Sequence, residues 1–548
     1  MTGTNLIVFR DRAEQRRGPE LLHSLQHAID HLSGCSRENI LEALLLAGEF
    51  ECVLEDNHSP ARRSAAAITD GLADLLMGAR EIALAEIANH VKTIAEQPVP
   101  EMVHISPPEG FSYYALHPED FAEACGELAD GRSVAVIGIR SIGTTLSAVA
   151  AAAFRQRGVP VARITVRPTE HPYDRAVHLR ASETAWVEQQ RESGSTFLVV
   201  DEGPGLSGSS FLATAEALVD AGVASANIIL MGTREADPCK LCAPNAAERW
   251  RRFRWKKVRS TILRRFSQFT NVSGGEWRRE LFGTGTAWPA SWPEMERLKF
   301  LSPDRRFLFK FDGLGRFGSE VRHRAEVLYR AGYIPSLEGS RDGMTAYRFV
   351  PGKPLTDSDL SRPFLETMAE YCAFRRSEFP CAENMNGSLD QMLRFNFSQE
   401  FGRDPKGSER ILQPTSATIV DGRMQPHEWI AGDRGEIFKI DACTHGDDHF
   451  FPGPTDIAWD LAGIIVEWRL PPDAREFLLS AFHKRSGVDM TERIDAFTLA
   501  YTVFRLAFYK MALGGTQVEA EKPRLRSAYD YYRRSAWELF QKLGAKCA

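Results

Sequence analysis

Two stretches of this chain each run from a short apolar strand through a glycine loop into a helix, and nothing else in the sequence constrains the fold as strongly. The first is SVAVIGIRSIGTTLSAVAAAAFRQRG, residues 133–158; the second begins at FLVVDEGPGLSGSSF, residues 197–211, and continues to Gly222 with the spacing of an amphipathic helix. VARITVRP follows the first unit and ANIILMGT the second. Strands that alternate with helices in this way predict a doubly wound parallel sheet of the α/β class.

The loops carry chemistry as well as topology. Glycines let a backbone approach a ligand, and free N–H groups at a loop and helix N-terminus, helped by serine hydroxyls, suit a phosphate. Asp201 and Glu202 stand at the carboxyl end of the second strand. Two adjacent carboxylates accept hydrogen bonds from vicinal hydroxyls or help hold Mg2+, which an apolar pair cannot do. Taken alone, the same segment is also an acidic turn of an ordinary α/β domain.

Together the two loops resemble the type I phosphoribosyltransferases, in which a strand, two acids and a Gly/Thr-rich loop cradle phosphoribosyl pyrophosphate (PRPP). The resemblance implies catalytic roles for Asp201, Glu202 and Arg140. It implies phosphate binding by Gly205, Ser207, Gly208, Ser209 and Ser210, and pyrophosphate binding by Ser141, Gly143 and Thr144. Gly203 and Pro204 replace the family's two aliphatics, and the serine loop is one residue longer. Between the loops, His171, Asp174, Arg175, His178 and Arg180 lie where these enzymes carry a mobile lid, although solvated loop residues are the plainer reading of each.

A second constellation begins beyond about residue 290. RRFLFKFDGLG is strand-like around Lys310, SEVRHRAEVLYRAG is helix-like with Glu326, and FVPGKPL leads onward to IFKIDACTHGDDHFFPGPTDIAWDLAG. This order resembles the aminoglycoside phosphotransferase-like kinases, a two-lobed α+β fold in which a strand lysine pairs with a helix glutamate to orient nucleotide phosphates. The resemblance implies ATP binding through Lys310 and Glu326, Mg2+ at Asp441 and Glu428, and a bracing role for Asp460. The catalytic loop departs from the family. Aligned on Pro426, Arg423 stands at the general-base position and Glu428 at the amide position, and an arginine cannot accept a proton. Asp421 is the nearby substitute, and His445, Asp447 and Asp448 add a polar cluster or a solvated turn.

With 548 residues, 43% of them apolar and 26% charged, several globular domains are expected. The divisions read from the sequence are a helical N-terminal cap at 1–108, a phosphoribosyltransferase-like domain at 109–248, a basic aromatic connector at 249–290 and a kinase-like domain at 291–548. Phe111, Tyr113 and Tyr114 are either stacking platforms near the base site or core aromatics. RWRRFRWKKVRSTILRR, residues 249–265, has many cations and no acids. It suits nucleic acid, or, on the plainer and favoured reading, an interdomain helix that packs its aromatics. The overall charge of −6 exerts no general pull toward nucleic acid. Cys239 and Cys242 read as reduced surface cysteines rather than a zinc or redox pair. No stretch is apolar enough to span a bilayer, and a cytoplasmic location is expected.

Three functions remain open from the sequence. One is a Mg2+-dependent PRPP-using transferase whose kinase-like domain acts on the same small-molecule pathway. Another is a regulator that senses phosphoribosyl metabolites without turnover. The last is a small-molecule kinase, using ATP, with an accessory phosphosugar domain. The phosphoribosyltransferase resemblance also implies a homodimer.

Overall fold

A computed structural model describes residues 6–9, 14–32, 36–79, 81–283, 288–381, 389–405 and 411–546. The chain forms a mixed α/β protein with two compact units. One comprises Ala13–Ser267 with Gly313–Phe317, the other Met1–Arg12, Gln268–Asp312 and Gly318–Ala548.

The first unit is built on a five-stranded parallel sheet in the order Val161–Val166, Val134–Ile139, Thr196–Val200, Ile228–Gly232 and Arg254–Lys257. Val134–Ile139 is buried along its whole length, as expected of a strand covered on both faces. Helix Ile142–Gln156 is alanine-rich and buried from Ile142 to Phe154, so it needs cover on its outer side too. Helices Arg37–Asp56 and Arg62–Leu76 supply it. The approach is close: a Cβ on Gly48 would stand 2.0 Å from Thr145 Oγ1. The N-terminal helices therefore form one unit with the sheet. Phe111 and Tyr113 are core residues of this unit.

Charge as well as packing ties these helices down. Helix Arg37–Asp56 carries Glu51, Glu55 and Asp56 near its C-terminus and no cation in its last turn, a placement the helix dipole disfavours. Arginines from the sheet offset it. Arg163 makes a two-pronged bond to Glu51 at 2.9 and 3.0 Å and reaches Asp70 at 2.8 Å; Arg180 bonds Glu55 at 2.7 Å. The side chains of Arg163 and Glu51 are only 3% and 2% exposed.

The basic run at 249–265 is not an interdomain helix. Arg254–Lys257 is the edge strand of the parallel sheet, between short helices Ala246–Trp250 and Thr261–Arg265. Trp250 and Phe253 are buried, and Trp250 and Trp255 meet Phe211 edge-on. Pairing along a sheet edge satisfies the backbone on one side, while exposed cations on the other discourage further strands. Cys239 and Cys242 are exposed free thiols.

The second unit has a five-stranded antiparallel sheet in the order Thr270–Asn271, Lys299–Leu301, Phe307–Phe311, Met344–Arg348 and Leu337–Arg341. A smaller sheet joins Gly352–Pro354, Trp429–Gly432 and Ile437–Lys439. Its helical core includes Ala458–Glu467, buried from Ala458 to Val466, and Ile494–Gly515, in one apolar cluster with Trp429, Trp459 and Trp468. No helix among the described residues is long and apolar enough to cross a membrane.

Glu51→Gln leaves the buried Arg163 guanidinium short of its counter-charge and is expected to destabilise the protein by about 3 kcal/mol or more in urea unfolding. Asp70, 30% exposed, sits in a better-solvated pair, so Asp70→Asn is expected to cost no more than about 1 kcal/mol. Equal effects of the two substitutions would contradict this account.

Candidate functional site

In the second unit the antiparallel register sets Lys299 directly opposite Lys310. Two cations face to face across strands repel, so the pair requires a counter-ion. Asp441 supplies it. Lys299 Nζ donates to one carboxylate oxygen at 2.8 Å, and Lys310 Nζ donates to the other and to Thr444 Oγ1 at 2.7 Å. Asp441 stands two residues past strand Ile437–Lys439 with φ +58°, in the left-handed region. Burial pushes its carboxyl up, but Lys299 and Lys310 outweigh that and hold it well below the usual carboxylate range.

A third lysine organises the neighbouring loop. Lys439 is wholly buried, and its ammonium donates to Glu428 Oε2 at 2.8 Å and to the Ile440 carbonyl at 3.0 Å, with Asp421 Oδ1 at 3.2 Å. Burial works against its charge, and Asp421 and Glu428 more than restore it. Asp460 braces this loop from below by accepting the N–H groups of Asp421 at 2.8 Å and Gly422 at 2.9 Å. Burial, with the charge of Asp421 beside it, pushes the Asp460 carboxyl up to about 6.

Lys299, Lys310, Glu428, Lys439 and Asp441 border a cavity of about 190 Å³ whose lining also includes Trp277, Arg297, Arg423 and His445. Burial, then the Arg423 charge, keeps the His445 imidazole neutral by holding its pKa well below the ordinary value, and its buried Nδ1 has no hydrogen-bond partner. Among the described residues the Arg423 guanidinium forms no ion pair; it lies 5.8 Å over the Phe508 ring. The side chain of Asp447 lies outside the described residues.

Two expectations for this site need correction. Glu326 does not meet Lys310: its side chain is 49% exposed and pairs with Arg330 at 3.3 Å. The buried stripe of helix Gly315–Arg330 is Val321, Arg324, Ala325 and Leu328, so Glu326 falls off the inward face while Arg324 reaches the Cys443 carbonyl at 3.2 Å. Glu428 and Asp441 are bonded to lysines rather than presented to an ion. Ligand atoms of Asp421, Glu428 and His445 do lie within 4.8 Å of one another. The Lys439 ammonium, however, already holds one oxygen of each of Asp421 and Glu428 and supplies the positive charge there, so the residues do not fit Mg2+.

In the first unit the structure brings the two predicted loops together. A Cβ on Gly143 would lie 2.6 Å from the Val200 carbonyl and 3.5 Å from Asp201 Oδ1, so only glycine permits the loop at 139–145 to sit against the acid pair. Ser141, at φ +101° and ψ −116°, holds a strained backbone at the start of the following helix. Thr144 is buried beyond it with an unpartnered hydroxyl.

Asp201 receives the Glu202 N–H at 2.8 Å, and Glu202 pairs with Arg234 at 3.6 Å. Burial raises the Asp201 carboxyl to about 7, and burial likewise raises Glu202.

The other predicted residues divide. Ser207 and Ser209 turn their hydroxyls to the Pro172 carbonyl, at 3.0 and 2.8 Å, and to each other, so both are committed inside the protein. Gly205 is exposed, Ser210 half-buried, and Gly208 is the left-handed residue that opens helix Ser209–Asp220. Arg140 is turned away from the acid pair: it bonds Asp56 at 3.0 Å and Thr165 through its carbonyl and hydroxyl. The lid segment is a hairpin, Thr169–His171 with Asp174–Ala176, in which Arg175 bonds the Pro168 carbonyl and His178 meets Glu170.

Lys299, Lys439 and Arg167, whose charge acts on Asp201, were not singled out from the sequence. The lysine of LKFL and that of IFKID each interrupt an apolar strand, the one signal available.

No protein-family model matches the chain, and no curated protein does. Solved structures similar to just under half of it include choline kinase LicA from Streptococcus pneumoniae, at 13% identity over 43% of this chain and 90% of that one, with a TM-score of 0.29. A choline kinase from Cryptosporidium parvum is 13% identical over 49% and 95%, with a TM-score of 0.32. Macrolide 2'-phosphotransferase from Brachybacterium faecium is 16% identical over 42% and 88%, with a TM-score of 0.29. Likeness at these TM-scores carries no argument, and the site stands on its own residues.

Between about pH 4 and pH 7 folded Asp201 keeps a proton that the unfolded chain, with a carboxyl pKa of about 3.9, has released. Native protein therefore binds more protons than unfolded protein, and this group lowers stability as pH rises through that window. Asp201→Asn is expected to remove the penalty, so that its melting-temperature advantage over the unsubstituted protein grows from pH 4.5 to pH 8. An advantage that shrinks with rising pH would contradict the assignment.

Proposed function

We propose that this protein binds phosphorylated small molecules, and that its second unit takes a nucleotide or another polyphosphorylated ligand in a kinase-like site. The observation that carries the reading is the pair of cross-strand lysines, Lys299 and Lys310, gathered on Asp441 beside a cavity that Arg423, without an ion pair among the described residues, also lines. Clustered cations on rigid strands suit an oligophosphate, whose charge is otherwise costly to remove from water. Phosphoryl transfer would require a base near the acceptor hydroxyl. Asp421 and Glu428 are engaged by Lys439 and Arg423 cannot accept a proton, which favours binding or sensing over turnover.

A second site is favoured by the half-buried acid pair of the first unit. Asp201 and Glu202 lie against the Gly143 loop with a single long ion pair, Arg234 to Glu202 at 3.6 Å, which suits the vicinal hydroxyls of a phosphoribosyl group such as that of PRPP. With Ser207 and Ser209 held by Pro172, the phosphate would rely on backbone N–H groups of the loop rather than on those hydroxyls.

Lys310→Ala, with Lys299→Ala as its companion, is expected to weaken ATP binding at least tenfold in isothermal titration calorimetry; unchanged affinity would sink the nucleotide reading. Thermal stabilisation by PRPP and ribose 5-phosphate is expected to vanish in Asp201→Asn/Glu202→Gln. Persistence of that stabilisation in the double variant would remove the phosphoribosyl site.

A further inference from the structure

We infer that the cavity of the second unit binds its anionic ligand without a divalent cation, because lysine ammonium groups already stand where a metal would be held. The inference rests on the nucleotide or polyphosphate reading of that cavity and deepens it.

A divalent ion needs carboxylate oxygens with free lone pairs facing the ligand. Each carboxylate on the cavity wall already meets a cation or a hydrogen-bond donor through at least one oxygen. Asp441 gives one oxygen to Lys299 and the other to Lys310. Glu428 is bonded to Lys439, Asp448 to His449, and Glu280 to Arg305 at 2.6 Å. Glu296 accepts from the Gly275 N–H at 2.9 Å, from Trp277 Nε1 at 3.2 Å and from Ser291 Oγ.

Lys439 is the decisive group. An ammonium has three protons, and here Glu428, Asp421 and the Ile440 carbonyl stand within 3.2 Å to take them. Its side chain has no exposure, so a metal entering between Asp421 and Glu428 could not send the displaced charge to water. The Asp421, Glu428 and His445 grouping is thus a cation site with a built-in cation.

The charge balance then sets the ligand class. With the wall carboxylates engaged, Arg423, which forms no ion pair among the described residues, is a cation placed to meet an incoming group, with Lys299 and Lys310 beside it on the lining. A free oligophosphate anion answers that arrangement better than its Mg2+ complex, in which the metal would neutralise the phosphates and be repelled by the lysines.

The test is calorimetric titration of the full chain with ATP and with pyrophosphate, in EDTA and again in excess Mg2+, together with thermal shifts for Mg2+ and Mn2+ alone. Affinity in EDTA is expected to equal or exceed that in Mg2+, and Arg423→Ala is expected to lower it at least tenfold in both. Binding that weakens tenfold or more in EDTA overturns the inference and leaves the nucleotide reading standing. No binding of either probe in either condition overturns both. Lys439→Gln vacates the cation position, and Mn2+ is expected to stabilise that variant and not the unsubstituted protein. A folded Lys439→Gln with no Mn2+ response counts against the inference, and if the variant fails to fold the EDTA comparison decides alone.

Discussion

An ammonium group removed from water must have its protons accepted, and the second unit is arranged around two solutions of that constraint. Lys439 finds three acceptors, two of them carboxylates on the loop at 421–428, which pins the loop to strand Ile437–Lys439. Lys299 and Lys310 share Asp441, which lies two residues further along the same chain. A single short segment thereby holds the sheet lysines on one side and the loop on the other. Asp460 completes the frame by receiving the loop's backbone N–H groups, so Arg423 is delivered to the cavity by a loop with little freedom to move.

The first unit applies the same rule with the signs exchanged. Acids near the C-terminus of helix Arg37–Asp56 oppose the helix dipole, and arginines from the sheet and its connections meet them. Arg140 belongs to this brace. Its absence from the acid pair leaves Asp201 and Glu202 half-buried with little compensation, and their raised carboxyls follow from that. The position of Arg140 in a glycine loop suggests a ligand role, but the nearest strong anions to its side chain are the protein's own.

The parallel sheet was legible because its signals are local. Apolar runs such as TFLVV and VAVIGI, each followed by glycine and a helix-spaced segment, encode strand, turn and helix within one stretch of chain. The approach of Gly143 to Asp201 is not local in this sense, since it follows from the parallel pairing of the two strands that precede the loops. The Lys310–Glu326 pairing was not legible, because it assumed which face of helix Gly315–Arg330 turns inward. Val321, Arg324 and Leu328 set that face, and Glu326 lies beside it. The basic run at 249–265 misled for a related reason: sheet pairing accounts for its backbone, and Phe211 for its tryptophans.

By itself the sequence determined the α/β class, the two glycine loops, the acid pair and the presence of an arginine where a base would be needed. These depend on residue type and on spacings shorter than a strand and its helix. Tertiary structure alone decided which charges neutralise which. Lys439 and Asp421 are 18 positions apart, Lys310 and Asp441 are 131 apart, and Arg163 and Glu51 are 112 apart. Coulomb attraction in a dry interior depends on separations of a few ångströms, which no linear spacing records, so whether a carboxylate awaits a ligand or already holds a lysine is settled only when the chain has folded.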